Sequence, residues 1–346
     1  MAPANRFEPA FVEADWSDLD GAPDAEARAE RNVPTEFLPD RSVSVIARND
    51  SPDLPFSKSL NPYRGCEHGC AYCYARPTHE YLGFNAGIDF ESRIMVKHDA
   101  PRLLEEALAS PRWTPEALMM SGVTDCYQPV ERKLEITRRC LEVLARYRNP
   151  VGVVTKNALV ARDADLLENM AAWDGASVTL TLTTMDADLS RRMEPRAATP
   201  RRRLDTVARL AEAGVRVGVM VAPVVPGLND EAIPAILEAA AEAGAGHASY
   251  ALLRLPLSVR PVFLDWLERA APGKKDRVLE RLRDLRGGGL NDARFGSRFR
   301  GDGAWAETHR NLFELGMRRS GLASPRAFEL ATDHFRPPGG RQMELF

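Results

Sequence analysis

From residue 117 to residue 270 the chain repeats one unit: a short apolar run, then a longer stretch with apolar residues at helical spacing. Strands are predicted at 117–122, 151–155, 177–184, 215–222 and 247–255. Helices are predicted at 130–147, 163–172, 200–213, 230–243 and 261–270, two of them stopped by Gly214 and Gly244. Strands that alternate with helices of about ten to fifteen residues form βαβ units and hence a parallel sheet. A further short strand at 57–60 brings the count to six units. Six rather than eight predicts an α/β fold of the partial (β/α)6 TIM type, open on one side. Ligands of such sheets lie at the carboxyl ends of the strands.

The chemistry is concentrated ahead of this repeat, in Asn61-Pro-Tyr-Arg-Gly-Cys-Glu-His-Gly-Cys-Ala-Tyr-Cys-Tyr74, which sets Cys66, Cys70 and Cys73 in the pattern C-x3-C-x2-C. Three thiolates within eight residues, with Gly65 and Gly69 freeing the backbone, suit a soft metal centre: an iron-sulfur cluster, zinc or copper(I). Zinc usually closes with four protein ligands drawn from two separated pairs, and no second pair follows here. His68 or His79 would complete a Cys3His zinc site, but His68 lies between two ligands, where its reach is poor. A cubane with three cysteine-bound irons and one open iron fits the spacing better. A small molecule can bind the open iron and receive an electron there.

With Tyr72 just before its third cysteine, this loop resembles the cluster loop of radical S-adenosylmethionine (radical SAM) enzymes. Together with the downstream segments it is similar to the branch related to spore photoproduct lyase, and within that to a bacterial subfamily with NPYRGCEHGC near the start and RPPGG-x-Q near the end. The resemblance runs from about Arg48 to the C-terminus. It implies a [4Fe-4S] cluster on Cys66, Cys70 and Cys73, and reductive cleavage of S-adenosylmethionine to methionine and a 5′-deoxyadenosyl radical that abstracts hydrogen from a substrate. It further implies a reducing partner of the flavodoxin or ferredoxin type, and a nucleic-acid lesion or modified base as the substrate class. In the lyase branch a Ser-Asp pair resembling Thr124-Asp125 holds the cofactor. So do a lysine resembling Lys156, a serine best matched by Thr181, and an alanine before proline resembling Ala222, while Tyr72 would set its backbone against the adenine. Each also has an ordinary reading, as a capping, solvated or half-buried strand residue. What favours the cofactor reading is their shared position at predicted strand ends. The branch carries a hydrogen-donating cysteine where this chain has Gly122. Cys126, four residues on, is the candidate donor in its place, or else an inert core thiol, as Cys140 is read to be.

Net charge is −3 over 346 residues, so the whole chain offers nucleic acid no general attraction. A local exception is predicted in the loop after the fourth strand, where Arg191, Arg192, Arg196 and Arg201 to Arg203 could hold phosphates. Membrane insertion is not expected, since no apolar run approaches the 18 residues or so of a span. With no secretion signal and no disulfide framework, a cytoplasmic protein is expected. Residues 1–40 carry ten acidic against three basic residues with little aliphatic content, which predicts a disordered acidic arm. The barrel core is expected over 41–270, and a C-terminal helical extension over 271–346 that closes the open side. The competing reading is a zinc- or cluster-stapled binding protein without turnover.

Overall fold

The computed structural model describes residues 34–338. Its strands in chain order are β1 (Glu36–Pro39), β2 (Ile46–Arg48), β3 (Lys58–Leu60), β4 (Tyr63–Arg64), β5 (Arg93–Val96), β6 (Leu118–Met120), β7 (Val151–Thr155), β8 (Ala176–Thr181), β9 (Arg216–Val224) and β10 (His247–Leu252). Seven of them make one sheet in the order β10-β9-β8-β7-β6-β3-β2. β3 and β6 through β10 run parallel, each beside its predecessor, and only β2 is antiparallel. This is the open partial barrel of six β/α units. Buried apolar residues run along its inner strands, among them Val151, Val153, Val178, Leu180, Val217 and Val219.

The crossover helices follow from their own spacing. In Ile136–Tyr147 the buried residues Ile136, Cys140, Leu141, Val143 and Leu144 share one face. Pro200–Glu212 begins on a Thr199 cap, whose hydroxyl accepts from the Arg202 amide, with Pro200 preset for the first turn. The single helix predicted over 130–147 is two, Glu131–Leu134 and Ile136–Tyr147, because Glu135 takes the left-handed conformation at φ 50°. The cause is Glu131, whose buried carboxylate accepts the amides of Thr137 and Arg138 and so caps the second helix from within the first.

Two further differences concern the small sheet, β1-β5-β4. The segment read as irregular, 78–98, contains β5, whose Ile94 and Val96 are fully buried. A strand of four residues is too short to announce itself by alternation. Most of the expected acidic arm, residues 1–33, lies outside the described residues; Glu36–Pro39 at its end pairs in parallel with β5.

The C-terminal extension contains the helices Lys275–Leu285 and Ala304–Ser320. It follows the free edge of β10: Leu252 donates to Phe299 O at 2.9 Å, and Ala323 bridges to His247. Arg298 then reaches the turn between β2 and β3, where it meets Asp53 and Ser51, and the Gly296 amide donates to Asp53 at 2.7 Å. Since β10 and β2 are the two ends of the large sheet, the extension spans its open side. Among the described residues no helix is long and apolar enough to cross a membrane.

Candidate cluster and cofactor site

The loop with the three cysteines leaves β4 at Gly65, whose φ is +81°. A Cβ there would come within 2.9 Å of both Phe90 O and the His79 ring, so only glycine allows the turn. Two clamps then fix the loop. Arg76, with no exposed surface, donates from Nε and Nη2 to Cys70 O at 3.1 and 2.9 Å, from Nη1 to the carbonyls of Ala86 and Gly87, and from Nη2 to Glu91 at 3.0 Å. On the other side Gln128 accepts from the Glu67 amide and donates to Gly65 O, while the Glu67 carboxylate accepts from Val130 N at 2.6 Å.

Cys66 and Cys70 are buried and Cys73 partly so. Burial pushes the thiol of Cys66 well above its usual value and that of Cys70 up to about 12, and it raises Cys73 too. Metal must therefore displace protons from a buried, purely sulfur donor set, which suits a soft centre. Among the described residues no three Cys, His, Asp or Glu side chains converge on one point as ligands of a single ion. A cubane needs no such convergence, because each thiolate binds a different iron. The histidines are also engaged elsewhere: His79 Nε2 lies 2.9 Å from Arg93 O, and His68 sits between Asn157 and Asp125. The donor set fits a three-cysteine cluster and not a Cys3His zinc site.

The strand ends gather round this loop. Asp125, after β6, accepts from Thr155 Oγ1 at 2.7 Å, from Tyr127 N at 2.9 Å and from Lys156 N at 2.8 Å, so it ties the end of β6 to the end of β7. Thr124 donates to Tyr63 O at 2.7 Å and joins the same strand end to β4. The Lys156 ammonium lies 5.8 Å from the centre of the Tyr72 ring. Thr181 is buried in β8 and its carbonyl accepts from Arg203. Thr183, two residues later, shares the face of Tyr72: its hydroxyl donates to Glu194 and lies 3.4 Å from Ala222 O. Lys156, Tyr72, Thr183 and Ala222 are thus brought together, with Thr181 beneath them.

Sequence reasoning missed the buried pair that supports this face. Glu194 accepts from the Tyr72 hydroxyl and from Thr183 and is ion-paired to Arg203, which has no exposed surface. Burial alone would raise the Glu194 carboxyl, but Arg203, Lys156 and the two hydroxyl donors outweigh it and hold the carboxyl below its usual value. A lone Glu after a short helix carries no signal of this. Of the arginines predicted to hold phosphates, Arg192 and Arg201 are exposed and Arg191, Arg196 and Arg202 partly so. Arg203 faces inward, Arg196 reaches Glu91, and Arg192 donates to the carbonyls of Asp188 and Ala270. Cys126 has no exposed surface and lies within the main core; burial pushes its thiol well above the usual value. Gly122 could not hold the missing cysteine without a shift, because a Cβ there would meet Ser59 Cβ at 2.8 Å.

A partial parallel barrel with three clamped thiols at the mouth defines a class of α/β protein suited to hold a soft metal centre at its strand ends. Residues 60–240 match the family model of the Radical SAM superfamily, and the chain belongs to that superfamily. It is a radical SAM enzyme, and the family implies a [4Fe-4S] cluster and S-adenosylmethionine. An uncharacterised protein of Mycobacterium bovis is 38% identical over 234 residues, covering 67% of this chain and 68% of its own. An uncharacterised protein of Methanocaldococcus jannaschii is 29% identical over 171 residues, covering 49% of this chain and 61% of its own. Among solved structures, spore photoproduct lyase complexed with dinucleoside spore photoproduct superposes with a TM-score of 0.59 at 14% identity, covering 91% of this chain and 86% of that one. A mutant of that lyase with bound AdoMet and dinucleoside spore photoproduct gives 0.60 at 14% identity over the same shares. These likenesses concern the fold.

Proposed function

We propose that Cys66, Cys70 and Cys73 hold a [4Fe-4S] cluster and that the strand ends beside it bind S-adenosylmethionine for reductive cleavage. The observation that carries this is the placement of a clamped, all-sulfur loop at the carboxyl ends of β3, β6 and β7, with the Lys156 cation beside Tyr72. The chemistry a bound cluster would supply is one-electron reduction of the sulfonium, which would yield methionine and a 5′-deoxyadenosyl radical able to take a hydrogen atom from the substrate. Lys156 offers its charge to the methionine carboxylate. Asp125 has its acceptors engaged by Thr155, Tyr127 and Lys156 N, so it orients Lys156 rather than the cofactor itself. The Tyr72 backbone flanks the adenine, while Glu194 holds its hydroxyl. Ala222 borders the same space, with Thr183 taking the place expected of Thr181. Cys126 is a packing residue, its burial supporting the inert reading over hydrogen donation.

The electron comes from a flavodoxin or ferredoxin type of donor in the cytoplasm. The substrate class to test first is a nucleic-acid lesion or modified base, a reading supported by solved structures of this fold bound to a dinucleoside photoproduct. Of the arginines after the fourth strand, Arg203 is buried in its pair with Glu194, while Arg192 and Arg201 are exposed. Oxygen-free protein reconstituted with iron and sulfide should be brown and, given dithionite and S-adenosylmethionine, should release 5′-deoxyadenosine. Cys73→Ala should lose both colour and product. A colourless zinc protein without that product would establish the stapled binding protein instead. Deuterated candidate pools then identify the substrate by transfer of deuterium to 5′-deoxyadenosine.

A further inference from the structure

Arg254 stands two residues beyond the end of β10, on the side of the sheet where ligands of α/β folds bind. No hydrogen bond or salt bridge joins it to another described residue, and its Nε is buried with nothing to donate to. Its guanidinium lies 5.0 Å from the centre of the Phe299 ring, and Arg298 lies 4.9 Å from the centre of the same ring. Arg286 is next to them. It donates to Leu253 O at 2.8 Å and to Ser297 O at 3.1 Å, and its Nε is a second buried donor without an acceptor.

Three guanidinium groups therefore share one small region. Asp53 is engaged by Arg298 and Asp292 by Arg294 and Ser297, so neither acid is bonded to Arg254 or Arg286. Burial and the neighbouring Arg298 charge both push the Arg254 guanidinium below its usual value, and Tyr74, Asp53 and Asp292 do not offset them. A protein holds like charges together over a half-buried aromatic only at a cost, and the cost is removed when an anion bridges them.

The location says what such an anion belongs to. Tyr74, the residue after the third cluster cysteine, is half exposed and donates its hydroxyl to Gly122 O at 2.9 Å, just beyond the end of β6 in the same sheet. Arg254, just beyond β10, and Tyr74, held just beyond β6, thus lie at the same carboxyl end of the sheet. Lys156, the group for the methionine carboxylate, follows β7, and β10 is three strands away, roughly 14 Å across the sheet. One carboxylate does not reach both.

We propose that Arg254, with Arg298 beside it on the Phe299 ring, binds an oxyanion carried by the substrate, a phosphate or a carboxylate, and so anchors the substrate over the cluster face. This rests on the proposed function for the identity of the neighbouring site, but its test does not. Reconstituted full-length protein is titrated calorimetrically at low ionic strength with inorganic phosphate and, separately, with acetate. The wild type should bind at least one of them saturably, the tighter ligand identifying the group. Arg254→Gln should weaken that binding roughly tenfold or more, since a charge-assisted pair of hydrogen bonds is lost. Arg254→Lys should recover part of it, and Arg260→Gln, at an exposed arginine on the next helix, should bind as wild type does. Absence of saturable binding by either anion, or equal binding by Arg254→Gln, overturns the proposal. A brown, cofactor-cleaving protein that binds neither anion refutes this inference alone. A colourless protein that binds phosphate through Arg254 refutes the cluster reading and leaves the anion site standing.

Discussion

Arg76 shows how much of the site depends on one side chain the cysteine pattern does not reveal. Its five hydrogen bonds go to carbonyls of the cluster loop and of the turn at Ala86 and Gly87, and to Glu91. Arg76→Met fills similar volume but removes the guanidinium from the buried Glu91 carboxylate and two donors from Cys70 O. It should cost about 3 kcal/mol by urea unfolding and lower the iron bound per chain after reconstitution. At this scale the cysteines were legible because three soft donors in eight residues have few other uses. Asp125 and Lys156 were legible as strand-end residues, though their bond to each other was not. Glu194 and Arg203 were illegible: their meaning comes from Tyr72, more than a hundred residues away in sequence, and no local pattern encodes that contact.

Among the elements, the six parallel strands and their helices could be read because each repeats an apolar period over enough residues to stand out. The failures were elements shaped by particular contacts rather than by a repeating period. β5 is four residues long and is a strand because β1 and β4 flank it. The break at Glu135 exists because Glu131 caps the helix that follows. Glu135 holds a left-handed conformation that costs a non-glycine residue about 1 kcal/mol. Its side chain is exposed, with only a 3.8 Å ion pair to Arg162, which contributes little. Glu135→Gly should therefore raise the thermal midpoint, by about 1 kcal/mol of stability. A lowered midpoint would mean that the turn needs the Glu135 side chain.

For the whole molecule, the acid limit of stability is argued from His247, which lies against Gly218 in the sheet and is almost fully buried. Burial, then the Arg216 charge, lowers its value from 6.5 to about 4. The unfolded chain thus binds a proton between those values that the folded chain refuses. The folded state keeps its full advantage above about pH 6.5 and loses it as pH falls toward 4, on the order of 2 kcal/mol from this group. In urea unfolding at pH 7 and about pH 4.5, His247→Gln should show a smaller acid loss than the wild type; equal losses would exclude His247 as the cause.

Local sequence was sufficient to determine the parallel α/β core, the three-thiol loop and the strand ends on which chemistry could gather. Periodicity and ligand spacing are properties of neighbours along the chain. The tertiary structure alone decided which contacts carry the C-terminal extension across the open side, that Arg203 would be buried against Glu194, that Cys126 would be sealed in the core and that Arg254 would stand at the strand ends without a hydrogen-bond partner among the described residues. Each of those outcomes depends on which charges and surfaces meet across the fold, and burial and pairing arise only when distant segments come into contact.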